Sequence, residues 1–81
     1  MPEITVKLYG TLRRLSQKET PGFWIGTVPE GTRVIDLIEL LGTREAEVAT
    51  AAVNGTAVPL ETLIPDGAVV TLVTPVNGGN S

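Results

Sequence analysis

The stretch TRVIDLIELLG, Thr32 to Gly42, leaves little choice of element. Val34, Leu37, Ile38 and Leu41 fall at i, i+3, i+4 and i+7, one continuous apolar stripe along a helix. Thr32 is placed to cap its start, without a full capping box because Ile35 occupies the third position after it. Gly42 is placed to close it in a left-handed conformation. It is the clearest helix in the chain, and a helix this amphipathic must lay its stripe on a sheet.

The rest of the chain supplies that sheet. EITVKLY alternates strictly, with Ile4, Val6 and Leu8 on one face and Thr5, Lys7 and Tyr9 on the other. In GTLRRLSQ, Leu12 and Leu15 at i,i+3 predict a short helical turn, which Thr20-Pro21-Gly22 ends. FWIGTV (Phe23 to Val28) reads as a second strand, antiparallel to the first. VATAAVN (Val48 to Asn54) reads as a strand closed by an Asn54-Gly55 tight turn, with a short strand after it. Asn54-Gly55-Thr56 also matches a glycosylation acceptor, a reading that the missing secretion signal disfavours. PLETLIPDG is a loop whose Asp66-Gly67 turns into the last strand, AVVTLVT (Ala68 to Thr74). That strand is β-branched and apolar on both faces, so it belongs at the centre of the sheet. Pro75 stops it, because proline cannot donate to the ladder. The pattern is α+β. With the first and last strands paired in parallel at the centre, it is the β-grasp, or ubiquitin-like roll, a mixed sheet with one main helix packed on it. Residues 1–74 form this domain, and 75–81 form a flexible C-terminal tail.

Composition narrows the function mainly by exclusion. Eighty-one residues make one domain, which buries only about 60% of the surface that its unfolded chain exposes. The net charge is -3 and the six basic residues are scattered, with only Arg13-Arg14 adjacent, so no basic stripe suits nucleic acid. There is no cysteine and no histidine, which removes disulfides, thiolate nucleophiles, the usual general base and the commonest metal ligands. No run approaches 18 apolar residues and no signal segment opens the chain. A soluble cytoplasmic protein with no membrane partner is expected.

Catalytic candidates are few. Asp36 and Glu39 lie on the exposed side of the helix, where a pair of carboxylates is ordinarily a solvated face. Glu45 and Glu47 sit in a polar connection with no apolar pocket to push their pKa values apart. No Gly-rich phosphate loop is present. The chain is expected to catalyse nothing alone and to hold no metal. The remaining candidate is the tail, PVNGGNS. Pro75 stiffens its departure, Val76 offers an apolar anchor, and Pro75, Val76 and Asn77 together form a partner-binding segment. Its seven residues span about 23–25 Å when extended. Gly78 and Gly79 lack side chains and can pass through a slot too narrow for any other residue. A carboxylate on such a tail could be delivered into a partner's active site, activated there by ATP as an acyl-adenylate and attacked by a nucleophile. The plainer alternative is a frayed end.

The segments KLYGTLRRLS, VPEGTRVIDLIELLG, AAVNGTAV and LIPDGAVVTLVTPVNGG fall in the order seen in the small sulfur-carrier proteins of the ThiS/MoaD type. The sequence resembles that family over nearly its whole length, and within it most resembles the small subunit of molybdopterin synthase. Tyr9-Gly10-Thr11-Leu12-Arg13 is similar to the family's Phe-Ala-x-Leu-Arg segment. Val53-Asn54-Gly55 is similar to its Val-Asn-Gly turn. Ile64 to Val70 and Thr74 to Gly79 are similar to its Leu-x-Asp-Gly-Asp-x-Val stretch and its Pro-Pro-Val-Ser-Gly-Gly end.

The resemblance implies a β-grasp fold and a carrier mechanism. An E1-like activating enzyme uses ATP to adenylate the terminal glycine carboxylate, and sulfur transfer then makes a thiocarboxylate. Gly79 would carry the sulfur, and Gly78 would admit the tail to the narrow site. A larger synthase subunit is a further partner that the resemblance implies. Three positions depart from the family. Asn80 and Ser81 follow the glycines, so Gly79 holds a peptide bond until a peptidase removes this extension. Ala68 stands where the family has a second acidic residue, a change expected to matter only to a turn. Asn77 replaces the usual serine. Two alternatives accompany the sulfur-carrier reading: a ubiquitin-like modifier joined through Gly79 to lysines, and a noncatalytic β-grasp interaction module. A partner surface is expected on the sheet near Pro75 and Val76. Phe23 or Trp24 would contribute to it, and at least one of the two would pack in the core. The receiving pathway, a molybdenum cofactor or another sulfur-containing metabolite, is not written in these residues.

Overall fold

A computed structural model of the chain describes residues 1–75. The apolar stripe forms the helix it predicts: α1 spans Val34–Leu40, with Val34, Leu37 and Ile38 fully buried and Leu41 half-buried against them. Its end follows the glycine. Gly42 has φ +91°, the Thr43 N–H donates to the Ile38 carbonyl (3.2 Å) and the Gly42 N–H to that of Glu39 (3.0 Å), which together make a Schellman closure. Its start differs from expectation. Arg33, not Thr32, is the cap residue, and the Asp36 carboxylate three positions on accepts the Arg33 N–H at 3.0 Å. An arginine side chain has no acceptor to return that bond, so only half of a capping box forms. Thr32 is buried, and its hydroxyl instead donates back to the Pro29 carbonyl (2.6 Å).

The sheet has five strands: β1 (Glu3–Leu8), β2 (Phe23–Thr27), β3 (Thr50–Val53), β4 (Thr56–Ala57) and β5 (Val69–Val73). Their spatial order is β2-β1-β5-β3-β4. β1 runs antiparallel to β2 and parallel to β5, while β3 lies antiparallel to both β5 and β4. The first and last strands therefore share the centre, as the apolar character of 68–74 requires. One face, with Ile4, Val6, Leu8, Val70 and Leu72 buried, receives α1. Leu12 joins this core from a 3-10 helix at Gly10–Leu15, where the i,i+3 repeat of Leu12 and Leu15 matches three residues per turn. Ala68 lies in the core at 1% exposure. A carboxylate there would be desolvated, so the departure at 68 bears on packing and not only on a turn.

Two turns tie the sheet together. Asn54 (φ 53°) and Gly55 (φ 86°) both lie in the left-handed region, as a two-residue hairpin requires. The Asn54 side-chain oxygen accepts the Val69 N–H (2.9 Å), which ties the predicted turn to the start of β5. At the same starting end of β5, Asp66 Oδ1 accepts the Glu3 N–H (2.8 Å) and the Gly67 N–H donates to the Glu3 carbonyl (2.8 Å). The predicted strand 48–54 is shorter at its start. Glu45–Glu47 instead form a 3-10 turn that Arg14 and Arg44 hold through Glu47, and Val48 is buried behind it.

Candidate functional site

The sheet places the root of the tail at one end of its central strand. β5 is held as far as Leu72 on the β1 side and Val73 on the β3 side: the Tyr9 N–H donates to the Leu72 carbonyl (3.2 Å) and the Ala49 N–H to that of Val73 (2.7 Å). Thr74 then rests on Gly10, whose φ of +62° and missing side chain make the seat. A Cβ on Gly10 would collide with Thr74 Oγ1 and lie 3.2 Å from Thr74 Cβ. Pro75 follows, exposed. Of the tail residues singled out in the sequence, Val76, Asn77, Gly78, Gly79, Asn80 and Ser81 lie outside the described residues.

The Gly10 seat carries a stability prediction. Gly10→Ala should cost about 1–3 kcal/mol, because it adds both a left-handed alanine and a clash. Thr74→Ala in the same chain removes the colliding hydroxyl and should recover part of that loss. Urea unfolding midpoints of the two single variants and the double variant check it.

Beside this root lies the sheet face that α1 does not cover. Phe23 and Ile25 of β2 are exposed there, at 38% and 41%. Register sets Thr5 and Lys7 next to them, then half-buried Val69, Thr71 and Val73. Phe23 stands opposite Lys7, and Lys7 opposite Thr71, near the end of the sheet from which Pro75 departs. Trp24 takes the other face. It packs against the core and its ring covers Gly26, where an added Cβ would come within 2.9 Å of a ring carbon. The two neighbouring aromatics thus divide, Phe23 to the surface and Trp24 to the core. Ile25, Val69 and Val73 were missed from the surface. Their signal was present: alternation puts Ile25 with Phe23, and a single helix leaves one face of a doubly apolar strand uncovered.

The carboxylates do not assemble a reactive group. Asp36 serves the helix start, and Glu39 and Glu45 are exposed. Glu47 accepts from Arg14 (2.8 Å) and from the Thr43 hydroxyl (2.9 Å). Among the described residues no three carboxylates come close enough to share a metal ion, and no helix is long and apolar enough to cross a membrane. An open depression of about 280 Å³ lies at the far end of the sheet from Pro75, lined by Met1, Pro2, Glu30, Leu63, Ile64 and Asp66 among others, with no thiol, hydroxyl or imidazole side chain in its lining.

Comparison with known proteins agrees with this geometry. A Pyrococcus furiosus protein assigned as molybdopterin converting factor, subunit 1, superposes with a TM-score of 0.71 at 29% identity, over 94% of this chain and 100% of that one. SAMP1 from Haloferax volcanii superposes with a TM-score of 0.67 at 21% identity, over 95% of this chain and 99% of that one, a likeness of fold. Both share the mixed five-stranded sheet with one main helix, the ubiquitin-like β-grasp. No curated protein sequence matches the chain. The ThiS family model matches residues 6–79, ending on the second glycine and leaving Asn80 and Ser81 outside. With that match running from β1 through the Gly-Gly pair, the chain belongs to the ThiS family, whose members are small sulfur carriers rather than catalysts.

Proposed function

We propose that this chain carries sulfur as a thiocarboxylate on Gly79, after removal of Asn80 and Ser81. Removal frees the Gly79 carboxylate. That carboxylate attacks the α-phosphate of ATP on an E1-like activating enzyme, expelling pyrophosphate and forming an acyl-adenylate. A hydrosulfide-level donor then displaces AMP to leave a thiocarboxylate on Gly79, and when that sulfur passes to a cofactor or metabolite under construction, water restores the Gly79 carboxylate. A larger synthase subunit is the expected receiving partner, with residues 75–79 as the segment that enters it.

The observation that carries this reading is the root of the tail. β5 is bonded as far as Leu72 on the β1 side and Val73 on the β3 side, Thr74 is seated on Gly10, and the strand then breaks at Pro75. The fold thus gives the segment leading to Gly78 and Gly79 a fixed origin. The Phe23 and Ile25 surface beside it supplies apolar area for the same partner. The deciding measurement is the intact mass of the chain isolated from its own cell. The expected species lacks Asn and Ser and has one oxygen replaced by sulfur. A chain ending at Gly79 but found only attached to lysines would make it a protein modifier. A population that is wholly full-length and unmodified would instead support an interaction module.

A further inference from the structure

Five of the six basic residues that look scattered in the sequence are gathered by the fold. Lys7 lies near the end of β1, beside the last residues of β5. Arg13 and Arg14 lie on the 3-10 helix that begins at Gly10, under Thr74. Lys18 sits on the turn leading into β2, and Arg44 caps the turn that Arg14 reaches through Glu47. All five are exposed, and all lie toward the end of the molecule from which the tail departs. Four acids accompany them, Glu19, Glu39 in the last turn of α1, Glu45 and Glu47, and Glu47 is already engaged by Arg14 at 2.8 Å. Lys7, Arg13 and Lys18 have no acidic partner within 4 Å among the described residues.

The far end is the reverse. Glu3, Glu30, Asp36, Glu61 and Asp66 gather there with Arg33 and the Met1 amino group for company, and Arg33 spends a guanidinium N–H on the Glu61 carbonyl oxygen (2.7 Å). The net charge of -3 therefore hides a polar molecule, positive around the root of the tail and negative at the opposite end. No charged side chain follows Asp66, so beyond its terminal carboxylate the tail adds no charge.

We infer that the cations around the tail root form a docking collar for a protein partner whose tail-receiving slot is rimmed with acidic side chains. This rests on the carrier reading and specifies the surface that the activating enzyme must present. The collar is spread around the root and does not converge on one point, which fits a broad protein rim better than a single phosphate. A molecule polarised along its central strands turns its Pro75 end toward a negative rim before contact. Such fields raise association rates by about 10–1000-fold and weaken with salt.

The test uses the chain ending at Gly79, which keeps every described contact, with the purified adenylating enzyme of its own cell. ATP–pyrophosphate exchange is followed against salt. The paired reversal Arg13→Glu with Lys18→Glu should lower kcat/KM for the carrier about tenfold at low salt, with kcat at saturation kept and the difference shrinking as salt rises. Lys7→Glu with Lys18→Glu should do the same and guards against a folding fault at Arg13, whose side chain packs by Gly22. Glu30→Lys with Glu61→Lys changes as many charges at the far end and should alter kcat/KM less than about twofold. Equal effects at both ends, or no effect at either, would overturn the collar while leaving the carrier intact. A rise in the KM for ATP instead of that for the carrier would assign the cations to nucleotide and also overturn it. Absence of exchange with the unsubstituted chain would remove the carrier reading itself.

Discussion

Gly79→Ala in the chain ending at residue 79 should lower its activation about 100-fold or more while leaving its thermal midpoint unchanged. The stability half follows from position: the described hydrogen bonds and core lie within residues 1–75, so a methyl group at 79 disturbs none of them. The activity half follows from the reaction. The attacking carboxylate must reach the α-phosphate through a slot that glycine fits because it has no Cβ, and misplacement of a reacting atom by about 1 Å can cost about 100-fold. Pyrophosphate exchange with the adenylating enzyme reads this directly. Asn77→Ala, in the same tail but away from the reacting carbon, should lose far less. Undiminished exchange in Gly79→Ala would remove the tail from the chemistry and favour an interaction module.

Leu37→Ala should destabilise the domain by about 2–5 kcal/mol, whereas Leu40→Ala on the same helix should stay within about 0.5 kcal/mol. Leu37 is fully buried against the sheet, and its truncation leaves a cavity as well as losing apolar contact. Leu40 is 49% exposed and faces away. A small domain has about 5–15 kcal/mol in total, so the first change takes a large share of it and the second almost none. Urea unfolding monitored through Trp24, which packs against the same core, distinguishes them. Comparable losses would mean that the apolar stripe is not what holds α1 on the sheet.

Much of the fold was legible because several residues are interpretable only one way. The spacing of Val34, Leu37, Ile38 and Leu41, Gly42 after them, Asn54-Gly55 as a hairpin turn and the doubly apolar last strand each agree with the structure. What was missed depended on distant neighbours. Thr32 has the right side chain for a cap, yet burial turns its hydroxyl to Pro29 and moves the cap to Arg33. Alternation shows that Phe23 and Trp24 point to opposite faces, but only the position of α1 decides which is covered. The tail was conspicuous in the sequence, with two glycines after Pro75, and its chemistry rests on the proposal above. Its surroundings were not conspicuous: positions 7, 13, 14, 18 and 44 become neighbours only when β1 and β5 lie side by side.

That pairing also sets the order of events as the protein forms. Thr5 meets Val69 across 64 positions of chain, and the other β1–β5 partners are as far apart. Closing so long a loop is unfavourable until the whole contact is made, so the β1–β2 hairpin and α1 must wait for a strand that emerges late from the ribosome. Folding should accordingly be slow for so small a domain. The strand that completes it is the one that leads to Pro75, so a half-made molecule has no fixed root from which to offer its glycines.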